Sequence, residues 1–178
     1  VPHATLGTRH LLSFGGGGYL DFNGVVCQWY LNVDSAYYVR IRNSAVNDTI
    51  RPTKVATPFV LSNLIVAATQ QQTGNNLLNV SGCPFGGNVD DVYLNLYTQN
   101  ANYQRCAVFG TSNSLVINKL KFGFSLQKTV STEGIYFANC SSVELNDTVA
   151  VTGFIYLTIC DNVVIDGYRH YDGLVAMT

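Results

Sequence analysis

Cys140-Ser141-Ser142-Val143-Glu144-Leu145-Asn146-Asp147 can be laid over Cys160-Asp161-Asn162-Val163-Val164-Ile165-Asp166-Gly167, with an offset of twenty residues at every position. Each copy has small polar residues, then an apolar-x-apolar triplet, then Asn or Asp. Alternation with period two is typical of β-strands. Repeats spaced by about 20–50 residues indicate solenoids, in which each repeat covers the apolar edge of its neighbour. The two stretches therefore predict short strands stacked on one another.

Weaker copies of the same unit occur upstream. The gaps between unit centres range from 19 to 30 residues. Gly, Asn, Asp and Ser stand between the units and supply the turns. No window of eleven or more residues sustains an amphipathic helical pattern. We therefore expect an all-β chain of about six to seven rungs. Its units are centred on Asp21, Arg40, Ile65, Asn95, Val116, Glu144 and Val164.

The apolar-x-apolar-Asn/Asp units, strongest at 143–147 and 163–167, give the chain a resemblance to a known fold. They resemble the right-handed parallel β-helix of pectate-lyase-like proteins, a fold shared by many bacteriophage tailspikes. The resemblance covers about residues 19–167 and includes no enzyme signature. It implies one β-helical domain over 1–178 that associates in parallel threes. An antiparallel β-sandwich or jelly roll remains the alternative, because it also has short alternating strands.

In a stacked-strand chain, the unit pattern predicts which side chains face inward. The residues flanking each centre point into the solenoid, as Val143 and Leu145 do around Glu144, and the centre points outward. Asn118, Asn146 and Asp166 then form a ladder at one corner, where stacked amides hydrogen-bond from rung to rung.

Two apolar residues, Val116 and Val164, are predicted to face outward on either side of Glu144. An apolar strip on an outer face indicates that something covers it. A homotrimer partner is the expected cover, as the tailspike resemblance implies. Terminal loops folding back over the strip are the alternative.

The segment from Tyr168 to Gly173 has the densest cluster of functional groups. An extended chain would place Tyr168, His170 and Asp172 on one face, and Arg169 and Tyr171 on the other. Tyrosines beside His and Asp could bind a sugar by stacking and hydrogen bonding, and a His–Asp pair could serve in acid–base chemistry. A polar turn that closes the last rung is the simpler interpretation. The predicted glycan-binding residues are Tyr168, His170, Tyr171 and Asp172. Further aromatic candidates are Tyr19, Trp29, Tyr30, Tyr37, Tyr38, Tyr93, Tyr97 and Tyr103.

Catalysis finds weak support in the sequence. Glycoside hydrolysis needs two carboxyl groups about 5–9.5 Å apart. Glu144, Asp161 and Asp172 are the available candidates, but stacking places Glu144 beside valines rather than beside another acid. The sequence therefore favours a non-enzymatic protein over an enzyme. A polysaccharide-degrading glycosidase or lyase of the same fold stays open as the alternative.

Metal and cofactor sites are not expected. Five cysteines occur without a CxxC pair, and the three histidines do not cluster. Cys140 and Cys160 are expected to stack as buried thiols, with a disulfide between rungs as the alternative. Gly15 to Gly18 lacks the Gly-Lys-Ser/Thr ending of a phosphate loop and is interpreted as a turn.

Composition limits the partners. Charged residues make up 12% of the chain and the net charge is −1, which argues against a nucleic-acid or anionic-membrane partner. The polar surface depends on Asn, Ser, Thr, Gln and eleven Tyr, a set that suits carbohydrate or protein. We therefore expect a module of a viral or phage tail spike or fibre, at the virion surface, that contacts host polysaccharide and other virion proteins. A virion decoration protein is a further alternative. Because the chain begins with Val1 rather than Met, we expect a processed chain or a piece of a longer one.

Overall fold

The computed structural model describes residues 11–27, 30–47, 49–68, 76–96, 105–124, 133–151, 153–171 and 176–177. Within them, all regular structure is β-strand. Every described strand pairing is parallel. In this part of the chain, no helix is long and apolar enough to cross a membrane.

The strands form two sheets, called A and B. Sheet A contains β1 (Leu11–Gly15), β4 (Tyr30–Asp34), β6 (Ile50–Thr53), β8 (Leu78–Ser81), β10 (Ala107–Gly110), β12 (Glu133–Ala138), β15 (Phe154–Thr158) and β18 (Ala176–Met177). Sheet B contains β2 (Tyr19–Asn23), β3 (Val26–Cys27), β5 (Tyr38–Val46), β7 (Phe59–Ala68), β9 (Gly87–Leu96), β11 (Leu115–Phe124), β13 (Val143–Asn146), β14 (Val149–Ala150), β16 (Val163–Asp166) and β17 (Arg169–His170).

The chain alternates between the two sheets, so that each strand pairs with the strand one turn later. β4 in sheet A pairs with β6, and β5 in sheet B pairs with β7. This topology is that of a parallel β-solenoid. A β-sandwich or jelly roll would require antiparallel pairs, which the described residues do not contain.

The twenty-residue offset is the register of the last two turns. Val143 pairs with Val163 and Asn146 with Asp166. The preceding turn is longer: Leu115 pairs with Val143, twenty-eight residues later in the chain. Glu144 lies between Val116 and Val164 on neighbouring strands, as predicted.

Two of the predicted units belong to a different column from the one expected. The ladder runs from Arg40 to Val60, then to Asn88 and Val116, and so passes by Ile65 and Asn95. Those two residues lie farther along β7 and β9, where the apolar-x-apolar pattern occurs a second time. The pattern alone could not distinguish the first arm of a strand from the second.

A left-handed residue divides each long sheet-B strand into two arms. Phe59 and Leu61 point inward before Asn63, and Leu64 and Val66 point inward after it. The alternation restarts there, so both arms bury apolar side chains. The same column of positive φ contains Gly24, Asn43, Asn63, Asp91, Lys119, Asp147 and Gly167. A second column follows the sheet-A strands and contains Gly16, Ser35, Lys54, Gly82, Thr111, Asn139 and Ile159.

Stacked amides join the rungs at the sheet-B corner. Asn146 Nδ2 donates to Asn118 Oδ1 at 3.0 Å, which confirms that step of the predicted ladder. Asp166 follows in register with Asn146. A further ladder, not predicted, joins Asn63 to Asn43 and Asn43 to Asn23, each at 2.8 Å.

The core fills the space between the sheets with buried apolar side chains. The Phe109 and Phe137 rings stack one rung apart, at 4.9 Å between centroids. A Cβ at Gly87 would lie 2.6 Å from the Phe59 ring, so this glycine leaves the volume that the ring occupies. Such close packing tolerates little added volume.

Cys140 and Cys160 are free thiols on successive rungs, but only Cys140 is buried as expected, and Cys160 is half-buried. The Asp161 N–H donates to the Cys140 carbonyl at 3.0 Å, and the Cys140 thiol donates to the Phe109 carbonyl at 3.4 Å. Burial raises the pKa of Cys140 to about 11, with smaller contributions from the neighbouring Cys160 thiol. The cysteine therefore acts as a small buried apolar group.

The first prediction concerns strain at Ile159, a β-branched residue with φ of 52° and 73% exposure. Asn tolerates the left-handed region far better than Ile. We expect Ile159→Asn to stabilise the fold by about 1 kcal/mol, which corresponds to ~2–4 °C in Tm. The matched control is Asn139→Ile, at the same corner one rung earlier, which should lower Tm by a similar amount. Equal Tm values for both variants and the parent protein would contradict the strain.

The second prediction concerns pH. An unfolded Cys140 thiol ionises near the usual value of 9.0, and the folded one near 11. Between these two pH values the unfolded state binds fewer protons than the folded state. The contribution of the Cys140 thiol to the free energy of unfolding is therefore complete below pH 9 and decreases as pH rises toward 11. Urea unfolding across this range should show a steeper loss of stability for the parent than for Cys140→Ser, which has no titrating thiol. Parallel curves would contradict the assignment.

Candidate functional site

The outer face of sheet A has an open groove of about 350 Å³. This volume lies near the lower end of the range for ligand pockets, ~300–1,000 Å³. Three successive strands, β4, β6 and β8, and the corner that follows two of them form its walls. Its lining consists of Asn32, Asp34, Arg51, Thr53, Lys54, Ser81 and Gly82.

The groove lies where the hydrogen-bonded ladder is interrupted. β6 pairs with β8 at Ile50 and at Thr53, but not in between. Pro52 occupies that gap and has no N–H to donate, so it cannot continue a regular ladder on both sides. The local sequence of β6 therefore determines where the sheet surface is irregular.

Hydrogen bonds fix the polar groups of the groove. Thr53 Oγ1 donates to Asp34 Oδ1 at 2.8 Å, and Thr53 itself is buried. Arg51 Nη1 lies 3.5 Å from the Tyr30 hydroxyl oxygen, its hydrogen-bond acceptor on the preceding strand. Asn32 Nδ2 donates to Ser13 Oγ at 3.3 Å. These contacts orient the carboxylate and the guanidinium on a rigid sheet.

The corner beside the groove contributes one cation and one empty position. Lys54 has φ of 51°, and its backbone N–H donates to the Ser81 carbonyl at 2.9 Å. Gly82 follows in the same column with φ of 63°. A Cβ at Gly82 would lie 3.5 Å from Lys54 Cγ, so a side chain there would project toward the groove.

The groove can bind a ligand that is rich in hydroxyl groups. Its amide, hydroxyl and carboxylate groups supply donors and acceptors, and its two cations can pair with an anion. Within the described residues, no group of three or more His, Cys, Asp or Glu side chains is placed to hold a metal ion.

A stacked aromatic pair lies farther along the same outer face. The Tyr136 and Tyr156 rings are 5.5 Å apart at an interplanar angle of 24°, and the Arg105 guanidinium lies 4.0 Å from the Tyr136 centroid. Tyr136 and Tyr156 are one rung apart in register. Tyr136 also pairs with Val108 of β10.

Sequence reasoning missed both the groove and the tyrosine pair. The offset of twenty residues extends upstream of Cys140 and relates Tyr136 to Tyr156, so it could have found the pair. Asn32 and Arg51 are nineteen residues apart and adjacent in space. No local motif marks them, because they come together only through the stacking of strands.

The predicted glycan-binding cluster is divided by the structure. Tyr168 is half-buried, packs against the core, and has a pKa raised by burial. Tyr171 is 74% exposed. The backbone of His170 pairs with Ala150, but its side chain lies outside the described residues, as does all of Asp172.

The other aromatic candidates differ in exposure. Tyr19 is 75% exposed and Tyr37 is 46% exposed, with ring centroids 5.1 Å apart at the first sheet-B strand. Lys121 Nζ lies 5.1 Å from the centroid of the half-buried Tyr93 ring. Three more of these candidates, Trp29, Tyr97 and Tyr103, lie outside the described residues.

The predicted catalytic residues lie apart from the groove lining. Glu144 is exposed, and its Oε1 accepts a hydrogen bond from Asn146 at 2.8 Å. Asp161 is also exposed. Neither contributes to the groove, and the third candidate, Asp172, is not among the described residues.

The predicted oligomer-interface residues lie on the outer face of sheet B. Val164 is 57% exposed and Val116 is half-buried, with Glu144 between them. Ile65 adds a further exposed apolar side chain to sheet B, at 55% exposure. Their role at an interface stays a prediction.

Comparisons of the chain with protein-family models, with curated proteins and with solved structures found no match.

Proposed function

We propose that this chain is a module of a viral or bacteriophage tail spike or fibre that attaches to a surface polysaccharide of the host cell. The single observation that carries the proposal is the polar groove on the outer face of sheet A. Surface polysaccharides present many hydroxyl groups in a repeating array. A rigid β-sheet that displays fixed amide, hydroxyl and charged groups is matched to such a ligand, since little side-chain entropy is lost on binding.

The composition supports carbohydrate over the competing macromolecules. With a net charge of −1, the chain has no global field to attract a polyanion such as nucleic acid. Its outer surfaces depend on neutral hydrogen-bonding groups and on exposed tyrosines such as Tyr19, which can stack on sugar rings.

The proposed activity is attachment rather than cleavage. Hydrolysis of a glycosidic bond requires two carboxyl groups that flank the scissile bond. The groove lining contains one, Asp34, and its Oδ1 is already bonded to Thr53. A binding role therefore uses the groups that the groove offers.

The proposal includes an assembly of three chains at the virion surface. Each chain would form six to seven rungs. The rungs would be right-handed, since crossover connections between parallel strands are right-handed in about 98% of cases. Weak contacts made by three copies add through effective concentration, so a low-affinity groove is sufficient. The exposed apolar residues of sheet B, Val164 among them, would lie between subunits.

The third prediction tests the groove directly. Gly82→Asn suits the positive φ and places a side chain beside Lys54, so we expect at least a tenfold loss of affinity on a panel of capsular and lipopolysaccharide glycans. The matched control is Gly24→Asn, at a left-handed corner with no atom near its Cβ, which should retain full binding. A reducing-end assay accompanies the panel. Absence of binding to every glycan would overturn the proposed function, and release of oligosaccharides would replace attachment with cleavage.

The fourth prediction concerns assembly. Light scattering should give three times the chain mass, and the double variant Val116→Lys/Val164→Lys should give the mass of one chain, since charged side chains in an apolar interface are costly. Ile159→Asn, which changes an exposed apolar residue at a sheet-A corner, is the control and should leave the trimer intact. A monomeric parent protein would contradict the assembly.

A further inference from the structure

We propose that the groove on sheet A selects an acidic sugar, whose carboxylate binds Arg51 and Lys54 while its hydroxyl groups bind Asp34, Asn32 and Ser81. This inference rests on the proposed attachment function and adds the chemical class of the ligand. It concerns hexuronate- or sialate-type residues of a polysaccharide.

The two cations of the groove have no acidic partner within the described residues. The ion pairs of that part of the chain join Asp21 to Arg40 and Arg42, on sheet B. Arg51 instead donates to the neutral Tyr30 hydroxyl at 3.5 Å, a long contact that a stronger acceptor can replace. Lys54 is exposed at the corner of the same groove.

Two of the ten Lys and Arg residues in this chain of 178 residues line the groove. A neutral glycan would use neither positive charge. A guanidinium binds a carboxylate through two parallel hydrogen bonds, which adds geometric selectivity to the charge attraction.

The charge balance favours a singly charged carboxylate over a phosphate monoester. Arg51 and Lys54 supply two positive charges, and Asp34 supplies one negative charge, so one positive charge remains for the ligand. A carboxylate balances it. A phosphate monoester carries roughly −1.5 to −2 at neutral pH and would be repelled by Asp34.

The carboxylate of Asp34 then has a separate role. Thr53 donates to its Oδ1 at 2.8 Å, which holds the group at the edge of the groove as an acceptor for sugar hydroxyl groups. Asn32 precedes it by two residues on the same strand, β4, and Ser81 lines the groove from β8, two strands away. In register, the row of Asp34, Thr53 and Ser81 lies between Arg51 and Lys54, so the acceptors for sugar hydroxyl groups stand between the two cations.

The fifth prediction uses an acidic polymer and its neutral counterpart. Hyaluronate and polysialate are compared with the same polymers after reduction of their carboxylates to alcohols, with dextran as a neutral polymer and inorganic phosphate as competitor. We expect reduction to weaken binding at least tenfold, and the binding of the unreduced polymers to decrease as salt rises. Millimolar phosphate should not displace the acidic polymers.

The matched variants are Lys54→Gln and Lys119→Gln. Both remove one positive charge from an exposed residue with φ of 51°, but Lys119 lies on sheet B, away from the groove. Lys54→Gln should abolish most of the preference for the unreduced polymer and retain the parent Tm, while Lys119→Gln should leave the preference unchanged.

The outcomes separate the two proposals. Equal affinity for acidic and reduced polymers would overturn the acidic-sugar inference and leave attachment standing. Equal effects of the two Lys variants would also overturn the acidic-sugar inference, because the preference for the unreduced polymer would then depend on the net charge of the chain and not on the groove. Displacement by phosphate would reassign the cations to a phosphate-bearing glycan. Binding to no polymer, acidic or neutral, would count against the attachment function itself.

Discussion

The in-register parallel ladder between successive turns determines the rest of this structure. Each strand hydrogen-bonds to the strand one turn before and one turn after it, and the side chains of equivalent positions stack in columns. A column can persist only if each turn of the chain closes at the same corners. The left-handed residues after the sheet-A strands and within the long sheet-B strands meet this constraint, turn after turn. In-register pairing therefore requires the same corner conformation on every turn. This requirement explains why even a β-branched residue, Ile159, adopts a positive φ.

The same ladder explains the site. Columns bring Asn32 beside Arg51, and Asp34 beside Thr53, although nineteen residues separate the members of each pair. Pro52 interrupts the ladder locally, and Gly82 leaves the adjoining corner without a side chain. A polar groove forms as a result on an otherwise regular surface. Its two cations and one carboxylate give it a local positive charge that the nearly neutral chain as a whole does not have.

Much of the fold could be predicted from alternation and offset. Strand type, parallel stacking, the register of 143–147 on 163–167, the thiols of Cys140 and Cys160 and the Asn118–Asn146 contact are confirmed. The assignment of Ile65 and Asn95 to the first column was wrong, because each bent strand contains the apolar-x-apolar pattern twice. Tyr168 faces the core, since it follows in register above the buried Thr148. A local cluster of functional groups could not reveal which of its members the next corner would turn inward.

The sequence by itself determined the period, the strands and the inward apolar positions, because these depend on local alternation and on the spacing of turn residues. It also determined the low net charge of −1. Only the tertiary structure decided which polar residues share a surface. The turns differ in length, at nineteen, twenty and twenty-eight residues, so the neighbours of a given side chain depend on the register of the whole stack. The groove of Asp34, Arg51 and Lys54 is a product of that register.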